Sequence, residues 1–527
     1  MISRLKQHLS VWDLGLLLTC LLFVLNKLPY LGLPYFWDEA WVYAPAVFDM
    51  LESGPSLSPD SIDPSLSRGH PILFHFLAAC WMTIFGSSFT ASHAFSVFVA
   101  VLAIIAVYKL GQQLHSKAIG FWAAVLFSVQ PLFIAQAGFL LPEVLLTLFV
   151  VLTILFYLRR NVIAYALAGT AILLTKETGI LVIATLCLIE LFEFIREKDF
   201  SKKRIIEFLA TGSPVFLAFL YFLAQYFQFG WFMFPEHISM FETDPKIWSR
   251  KKGVVFNIIF FDQKRQLIIG FALAAGALAW QKAPQVLRVL LLMCGLTFLT
   301  MSKLESWLPD WYYCNVFPVV VAASTILLGK EMLQSGSKRH LFIPLVAILT
   351  LAMVLFTSSH FIINRYLLFL MPLLILASVL IVQMSMKRSM WLFTVSMLFL
   401  GGMQYHYVNR IDSKVSQIGN MTYVDQIHVM QKGFEYLEKN TDYSTDCYSG
   451  SFLIKQAMAY PVQGYVSNDN KPGCIVHHVP PQVNYVFLVS FETHAEVEWV
   501  KTDANFEQVF SETRGFHTSW VFKRIGV

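Results

Sequence analysis

The chain has 527 residues, of which 56% are hydrophobic and only 14% are charged. Soluble domains carry about 25% charged residues, so the composition excludes an ordinary soluble protein. The formal net charge of +5 is small, and we predict no nucleic-acid partner. In such an apolar chain, the placement of the charges carries more information than their sum.

Apolar runs recur along most of the chain, and about 20 such residues are needed to cross about 30 Å of hydrocarbon. We therefore predict an all-α polytopic membrane protein with about 13 transmembrane helices. The first run has no small-residue cleavage site after it, so we predict that it is retained. The predicted spans are 12–33, 90–110, 119–137, 142–158, 161–175, 178–195, 205–229, 266–281, 285–302, 314–329, 341–358, 365–385 and 389–406.

The segment 70–86 is apolar but short, and the positive-inside rule decides how it is interpreted. With the N-terminus in the cytoplasm, most clusters of Lys and Arg fall inside only if this segment does not span. We therefore predict an interfacial or membrane-dipping segment. Loop 230–265 carries cations on the outside and is the exception, because longer loops obey the rule less well. The predicted location is the inner (plasma) membrane.

The polar C-terminal part, 410–527, is predicted to be a small extracytoplasmic α/β domain that follows a transmembrane domain, 1–409. Two segments, "VNYVFLVS" and "SWVFKRI", are typical of strands. Cys447 and Cys474 would lie in an oxidising compartment, which favours a disulfide over two free thiols. One helix face is predicted from the spacing of Ile427, Met430, Phe434 and Leu437.

Unusual polar residues gather at the predicted outer ends of the spans, beginning with Asp38 and Glu39 in "YFWDEAWVY". A charge in the hydrocarbon costs about 3 kcal/mol and is tolerated where it faces a wet cavity or another charge. Their convergence on one side predicts a functional site there. The other predicted members are Arg68, His70, Glu143, Lys176, Glu177, His237, Arg365 and Tyr366.

These residue types suit a particular substrate. Carboxylates accept protons or bind hydroxyl groups, whereas Arg68, Lys176 and Arg365 could hold a phosphate or pyrophosphate. Aromatic rings beside carboxylates suit the faces of sugars. We therefore predict an anionic, lipid-linked, hydroxylated substrate at the outer membrane face. The histidines show no metal-ligand spacing, and we predict neither a metal nor a cofactor.

Simpler structural roles are open for most of these residues. Trp37 and Trp41 would also fit an interfacial aromatic belt. Asp38 and Glu39 would also fit an acidic pair at a helix N-terminus, and because adjacent helical residues face different ways, at most one points at a reaction. Glu143 could simply be a charge at the start of a helix, after Pro142. Lys176 and Glu177 could form a local ion pair, and His75 and His237 could have structural roles.

The order of the motifs resembles a known family. "DEAWVY", "RGHPILFHFLAACWMTIFG", "LLTKETG" and "NRYLLFLMP" are similar to motifs of GT-C glycosyltransferases, with Ile72 in place of the second proline of a His-Pro-Pro segment. The similarity is to the protein O-mannosyltransferase group and its bacterial aminoarabinose-transferase and lipopolysaccharide-glycosyltransferase relatives. It extends over roughly residues 10 to 400.

The resemblance implies an inverting transfer of a sugar from a polyprenyl-phosphate carrier to an extracytoplasmic lipid, glycan or protein. It makes Asp38 the catalytic carboxylate, with Glu39 beside it, and Glu143 the second acidic residue, which is more often Asp in the family. Lys176 and Arg365 become candidates for the carrier phosphate. The alternative is a transporter, flippase or non-catalytic binding protein for a lipid-linked sugar. A transporter would favour inverted hydropathy repeats, and we find none.

Overall fold

The computed structural model describes residues 10–281, 285–300, 338–386, 389–410, 419–467, 472–492 and 495–526. Helices form almost all of the regular structure before residue 410, and a small sheet with its own helices follows. A helical protein with a small C-terminal α/β part is therefore confirmed. Elements are numbered below in chain order within the described residues.

The helices of the first half surround the segment that carries Asp38. They are α1 (Val11–Lys27), α2 (Ala44–Ser53), α3 (Pro64–Ser67), α4 (Leu73–Phe85), α5 (Phe89–Leu114), α6 (Lys117–Ser128), α7 (Pro131–Gln136), α8 (Glu143–Leu158), α9 (Val162–Thr175), α10 (Ile180–Glu197), α11 (Lys202–Thr211) and α12 (Ser213–Phe229).

The helices that follow include two short or polar ones in a long loop and then further apolar ones. They are α13 (Pro235–Ser239), α14 (Pro245–Phe260), α15 (Gln266–Ala279), α16 (Gln285–Thr300), α17 (Phe342–Ser358), α18 (Leu370–Ser385) and α19 (Met390–His406). The predicted span 314–329 lies outside the described residues. Each of the other predicted spans overlaps at least one helix.

Few of these helices reach the length of a complete span. Among the described residues, three segments are long and apolar enough to cross a membrane: Val11–Tyr30, Phe89–Leu114 and Glu177–Glu197. The pair α11 and α12 would add a fourth, bent by 45°. The other apolar helices have 10–17 residues, below the ~20 that a full crossing needs. The predicted number of thirteen spans is therefore not confirmed.

Proline and glycine explain where predicted spans are divided. The span predicted over 119–137 breaks between Ser128 and Pro131, because a proline has no N–H to continue the helical hydrogen bonds. The bend between α11 and α12 falls at Gly212. The ambiguous segment 70–86 contains α4, whose 13 residues correspond to a length of about 20 Å.

Close helix packing in the centre of the helical part depends on small residues. A Cβ on Gly111 of α5 would lie only 2.5 Å from the Cα of Gly120 in α6. The two helices therefore approach backbone to backbone, which is typical of helix contacts in membranes. α5 also contacts α8, so this central pair connects α6 to the helix that begins at Glu143.

The C-terminal part forms a five-stranded sheet in the order β2-β1-β3-β5-β4. β1 is parallel to β2 and β3, whereas β5 is antiparallel to β3 and β4. The strands are β1 (Cys447–Gly450), β2 (Cys474–Ile475), β3 (Tyr485–Val489), β4 (Phe506–Arg514) and β5 (His517–Arg524). Three more helices belong to this part: α20 (Tyr423–Asn440), α21 (Phe452–Ala459) and α22 (Ala495–Glu498).

The predicted secondary structure of this part is confirmed. The two predicted strands are β3 and β5, and the predicted helix is α20. Gly433 lets α20 approach the sheet, because a Cβ there would lie 2.0 Å from the ring of Phe487. The predicted helix face is buried at all four of its positions, which are Ile427, Met430, Phe434 and Leu437.

Cys447 and Cys474 are neighbours in adjacent parallel strands and form the predicted disulfide. We expect Cys474→Ser to destabilise the C-terminal part, because a crosslink between residues 27 positions apart stabilises by about 3.5 kcal/mol in the chain-entropy model. The checks are mass analysis of non-reduced peptides and limited proteolysis. Cys80→Ser, at a free thiol, is the control. Two free thiols in protein matured in its own membrane would refute the pairing.

Candidate active site

The segment that carries the two adjacent carboxylates has an unusual backbone. Trp37 lies in the left-handed region, with φ +51°, and a π-helix then runs over Glu39–Tyr43. Left-handed conformations cost non-glycine residues about 1–3 kcal/mol, and π-helical turns are frequent at functional sites. The result is that the Asp38 side chain remains 22% exposed, whereas that of Glu39 is fully buried.

Glu39 fixes this segment to its surroundings. One oxygen accepts from His93 Nε2 at 2.9 Å and from the Leu140 backbone N–H at 2.5 Å. The other accepts from the Phe36 N–H at 3.2 Å. His93 Nδ1 faces the Leu31 carbonyl oxygen at 2.9 Å. Because both ring nitrogens face acceptors, the doubly protonated imidazolium satisfies both contacts.

The C-terminal part holds the same segment from the other side. The Tyr35 N–H donates to the Gln463 backbone oxygen at 3.0 Å. The Gln463 side-chain amide donates to the Ala40 backbone oxygen at 3.3 Å. Trp41 packs edge-on against Phe452 of α21, with ring centroids 5.5 Å apart. The position of Asp38 therefore depends on contacts made by both parts of the chain.

We expect Glu39→Ala to destabilise the protein strongly, because it leaves His93 and two backbone N–H groups buried without an acceptor. Each unsatisfied buried group costs about 1–3 kcal/mol. Glu39→Gln keeps the carbonyl acceptor and should cost less. The measurement is the unfolding temperature of each variant in detergent. If Glu39→Ala unfolds at the parent temperature, these hydrogen bonds do not hold the segment.

Asp38 belongs to a buried network of four charged side chains. The Arg365 guanidinium donates to Asp38 Oδ2 through Nη2 and to Glu143 Oε1 through Nε, the latter at 3.0 Å. Lys176 Nζ donates to the same Glu143 oxygen at 2.8 Å. Two cations therefore balance two carboxylates. The described residues provide no hydrogen bond to Asp38 Oδ1, and the side chain is 22% exposed, so this oxygen is available to a substrate.

Aromatic rings border this network. Lys176 Nζ lies 3.6 Å from the centroid of the Tyr366 ring, which is a close cation–π contact. Arg365 lies 5.4 Å from the same ring. The Tyr43 ring comes from the π-helix and is fully buried. It is nearly parallel to the rings of His70 and His75, whose centroids lie 6.2 Å and 5.8 Å from its own.

A second polar group adjoins Tyr43. His70 Nδ1 lies 3.2 Å from Glu177 Oε2, and the ring of His237 lies 4.7 Å from the ring of His70 between centroids. Burial is the main cause, and His70 the next, that lowers the pKa of His237 to about 4. His237 is therefore neutral at ordinary pH, and its ring can accept a hydrogen bond or bind a metal.

Arg68 lies at the rim of the site. It adopts a left-handed conformation, with φ +49°, and its guanidinium carbon lies 4.3 Å from the centroid of the Trp41 ring. Among the described residues, Arg68 forms no ion pair with a carboxylate. It therefore differs from Lys176 and Arg365, whose charges are already balanced, and its donors are open to an anionic ligand.

Several buried polar atoms around the site have no hydrogen-bond partner among the described residues. They are Trp37 Nε1, Trp41 Nε1, both ring nitrogens of His75, Glu143 Oε2 and Thr178 Oγ1. Buried polar groups are almost always satisfied in folded proteins. Their concentration in the segments that carry Asp38, Glu143, His70 and Glu177 is what a site that binds polar ligands or water requires.

The structure brings the residues predicted from the sequence into one region. Lys176 and Arg365 both form ion pairs with carboxylates. They are therefore not the two unpaired cations that a role in binding the carrier phosphate would favour. The alternative of a local Lys176–Glu177 pair is not found, since Lys176 binds Glu143 and Glu177 faces His70. The sequence analysis missed His93 and Gln463, because both act through contacts between distant parts of the chain.

Residues 69–223 match the family described as dolichyl-phosphate-mannose-protein mannosyltransferase. The resemblance to the protein O-mannosyltransferase group is confirmed. The match includes Glu143, Lys176 and both residues of the His70–Glu177 contact, and Asp38 precedes it. No curated protein matches the chain significantly.

Two solved proteins are similar over most of the chain at low identity. ArnT from Cupriavidus metallidurans, bound to undecaprenyl phosphate, has 14% identity and a TM-score of 0.42, covering 96% of this chain and 97% of that one. The oligosaccharyltransferase of Archaeoglobus fulgidus, in complex with Zn and sulfate, has 13% identity and a TM-score of 0.43, covering 90% and 67%.

Proposed function

We propose that the protein is an integral membrane glycosyltransferase that moves a sugar from a polyprenyl-phosphate carrier to an extracytoplasmic acceptor. The observation that carries the proposal is the Asp38 carboxylate, partly exposed and held by a buried arginine, beside a segment that matches a mannosyltransferase family. The match supports a donor in which a prenyl phosphate carries the sugar. The acceptor is a lipid, a glycan or a protein.

Asp38 is proposed as the general base. Its Oδ1 would take the proton of an acceptor hydroxyl as that oxygen attacks the anomeric carbon. The bond from the anomeric carbon to the phosphate oxygen then breaks, and the prenyl phosphate leaves on the opposite face. The sugar configuration is inverted. Since a phosphate is a good leaving group, no general acid is required.

Arg68 is proposed as the first contact of the carrier phosphate. Its charge is free of carboxylates among the described residues, and a guanidinium binds phosphate oxygens in a bidentate manner. Lys176 and Arg365 would add a weaker attraction, because Asp38 and Glu143 already neutralise them. Tyr366 and Trp41 would border the donor as apolar walls.

The proposed orientation places this site outside the cell, with residues 1–409 as the transmembrane glycosyltransferase domain and 410–527 as the extracytoplasmic domain. Two exposed positions test it in a background without other free cysteines. We expect Phe516→Cys, in the turn between β4 and β5, to react with an impermeant reagent applied from outside. His115→Cys, in the turn between α5 and α6, should react only after permeabilisation. External labelling of the second position would reverse the topology.

The acceptor can be identified by comparing cells with and without the gene. Mass spectrometry of envelope lipids, glycans and proteins should show one class of molecule that loses the mass of one sugar residue. Restoring the gene should restore that mass, and a gene encoding Asp38→Asn should not. If all three classes remain unchanged under conditions in which the protein is made, the proposed transfer in cells is wrong.

A further inference from the structure

We propose that His70, Glu177 and His237 form a binding site for a divalent cation of the zinc class. Each side chain offers one ligand atom, and these atoms all lie within 4.8 Å of one another. Two imidazoles and one glutamate are a donor set that zinc accepts readily. The three residues are partly buried and lie outside the Asp38–Arg365–Glu143–Lys176 network.

The spacing is close to that of a coordinated metal. Metal–ligand bonds of about 2.1 Å in a tetrahedral arrangement place the ligand atoms about 3.4 Å apart. The His70–Glu177 contact, at 3.2 Å, already has this spacing. Since all three ligand atoms lie within 4.8 Å of one another, reaching the tetrahedral spacing needs each separation to shorten by at most about 1.4 Å. Three protein ligands leave a fourth position open for water or an anionic oxygen.

The backbone is shaped to bring the three ligands together. Gly69 precedes His70 and has φ +67°, and a Cβ there would lie 2.5 Å from Phe234 Cβ. Only glycine permits this approach, which brings the loop of His237 against the segment of His70. His237 is held by its own backbone oxygen as well, which lies 3.2 Å from His360 Nε2.

A simple His70–Glu177 ion pair does not account for the whole arrangement. Such a pair needs one imidazole, yet a second imidazole faces the first and has lost much of its contact with solvent. A cation bound between the three side chains accounts for the convergence of two imidazoles and one carboxylate on the same point. The site would connect three separate segments: the start of the 70–86 segment, the turn after α9 and the loop that follows α12.

The test measures zinc in the full-length, untagged protein purified in detergent. After removal of metal and equilibration with Zn²⁺, elemental analysis should find about one zinc per chain. Zn²⁺ should also raise the unfolding temperature of the parent. His237→Ala and Glu177→Gln should lose both the bound zinc and this shift. His237 lies on the five-residue helix α13, in the long loop after α12, so its substitution should leave the surrounding helices intact.

A matched control removes a similar contact elsewhere. His428→Ala deletes a histidine that lies 3.7 Å from Glu512 on the C-terminal part, and it should retain zinc and the temperature shift. The site is overturned if the parent binds no stoichiometric zinc, or if His237→Ala retains the parent content. The readout is independent of sugar transfer, so its failure would not affect the proposed function.

Discussion

Asp38→Asn is expected to lower the rate of sugar transfer by a factor of about 100 to 10,000, which is the usual range for loss of a general base. Asparagine preserves the size of the side chain and keeps an oxygen for the Arg365 contact, but it accepts no proton at neutral pH. Asparagine removes one of the two anions that balance Arg365 and Lys176, so some loss of stability is expected; because the Asp38 side chain is partly exposed, the unfolding temperature should fall less than that of Arg365→Ala.

The measurement is transfer of labelled sugar from a polyprenyl-phosphate donor by purified protein. Glu52→Gln is the matched control, since Glu52 is an exposed acid on α2, the helix that follows the segment of Asp38. It should transfer at the parent rate. If a folded Asp38→Asn protein also does so, the base lies elsewhere, and Glu143 becomes the first candidate.

Arg365→Ala should reduce both activity and stability. Its removal leaves Asp38 and Glu143 without their shared partner, and breaking a buried ion pair costs about 3–5 kcal/mol. Asp38 would also lose its orientation, and misplacement of a catalytic group by about 1 Å costs about 100-fold in rate. The transfer rate as a function of donor concentration and the unfolding temperature are the two measurements.

Arg365→Lys separates charge from geometry at this position. A lysine retains the positive charge, but its single ammonium cannot reproduce the fork that contacts two carboxylates through Nε and Nη2. We therefore expect Arg365→Lys to recover stability more than activity. A lysine variant with parent activity would mean that the guanidinium geometry is unimportant, and that Arg365 acts only as a charge.

Local patterns in the sequence were sufficient for much of the fold. Apolar runs predicted helices because each run is one continuous segment, and the short apolar run in "VNYVFLVS" and the face of α20 are equally local. The number of complete spans was harder to predict. Breaks at Pro131 and Gly212 divide apolar runs into pieces, and hydropathy alone does not record the break.

The membership of the site was predictable, but its pairing was not. Asp38, Glu143 and Arg365 stood out because charged residues are rare at the ends of apolar segments. Which cation forms an ion pair with which carboxylate depends on how three segments pack together. They are the start of α8, the turn after α9 and the turn that precedes α18. Sequence neighbours were misleading here, since Lys176 and Glu177 are adjacent and face different partners.

His93 is the clearest example of a residue whose role its local sequence does not reveal. It lies within an apolar helix, where a lone histidine has many possible roles, and its importance comes from facing Glu39 from 54 positions away. Gln463 likewise gave no signal in the sequence. Both residues contact the segment that carries Asp38 across long stretches of chain, which a pattern in one short stretch does not encode.

The proposed function requires that the protein cleaves the bond between the sugar and its carrier phosphate. The most direct measurement follows a donor labelled in both the sugar and the prenyl chain in vesicles that contain the purified protein and an acceptor extract. We expect free prenyl phosphate to appear in step with a sugar-bearing product of inverted configuration, and Asp38→Asn vesicles to produce neither. A donor that crosses the bilayer intact, with no prenyl phosphate released, would refute the proposed transfer and identify a transporter.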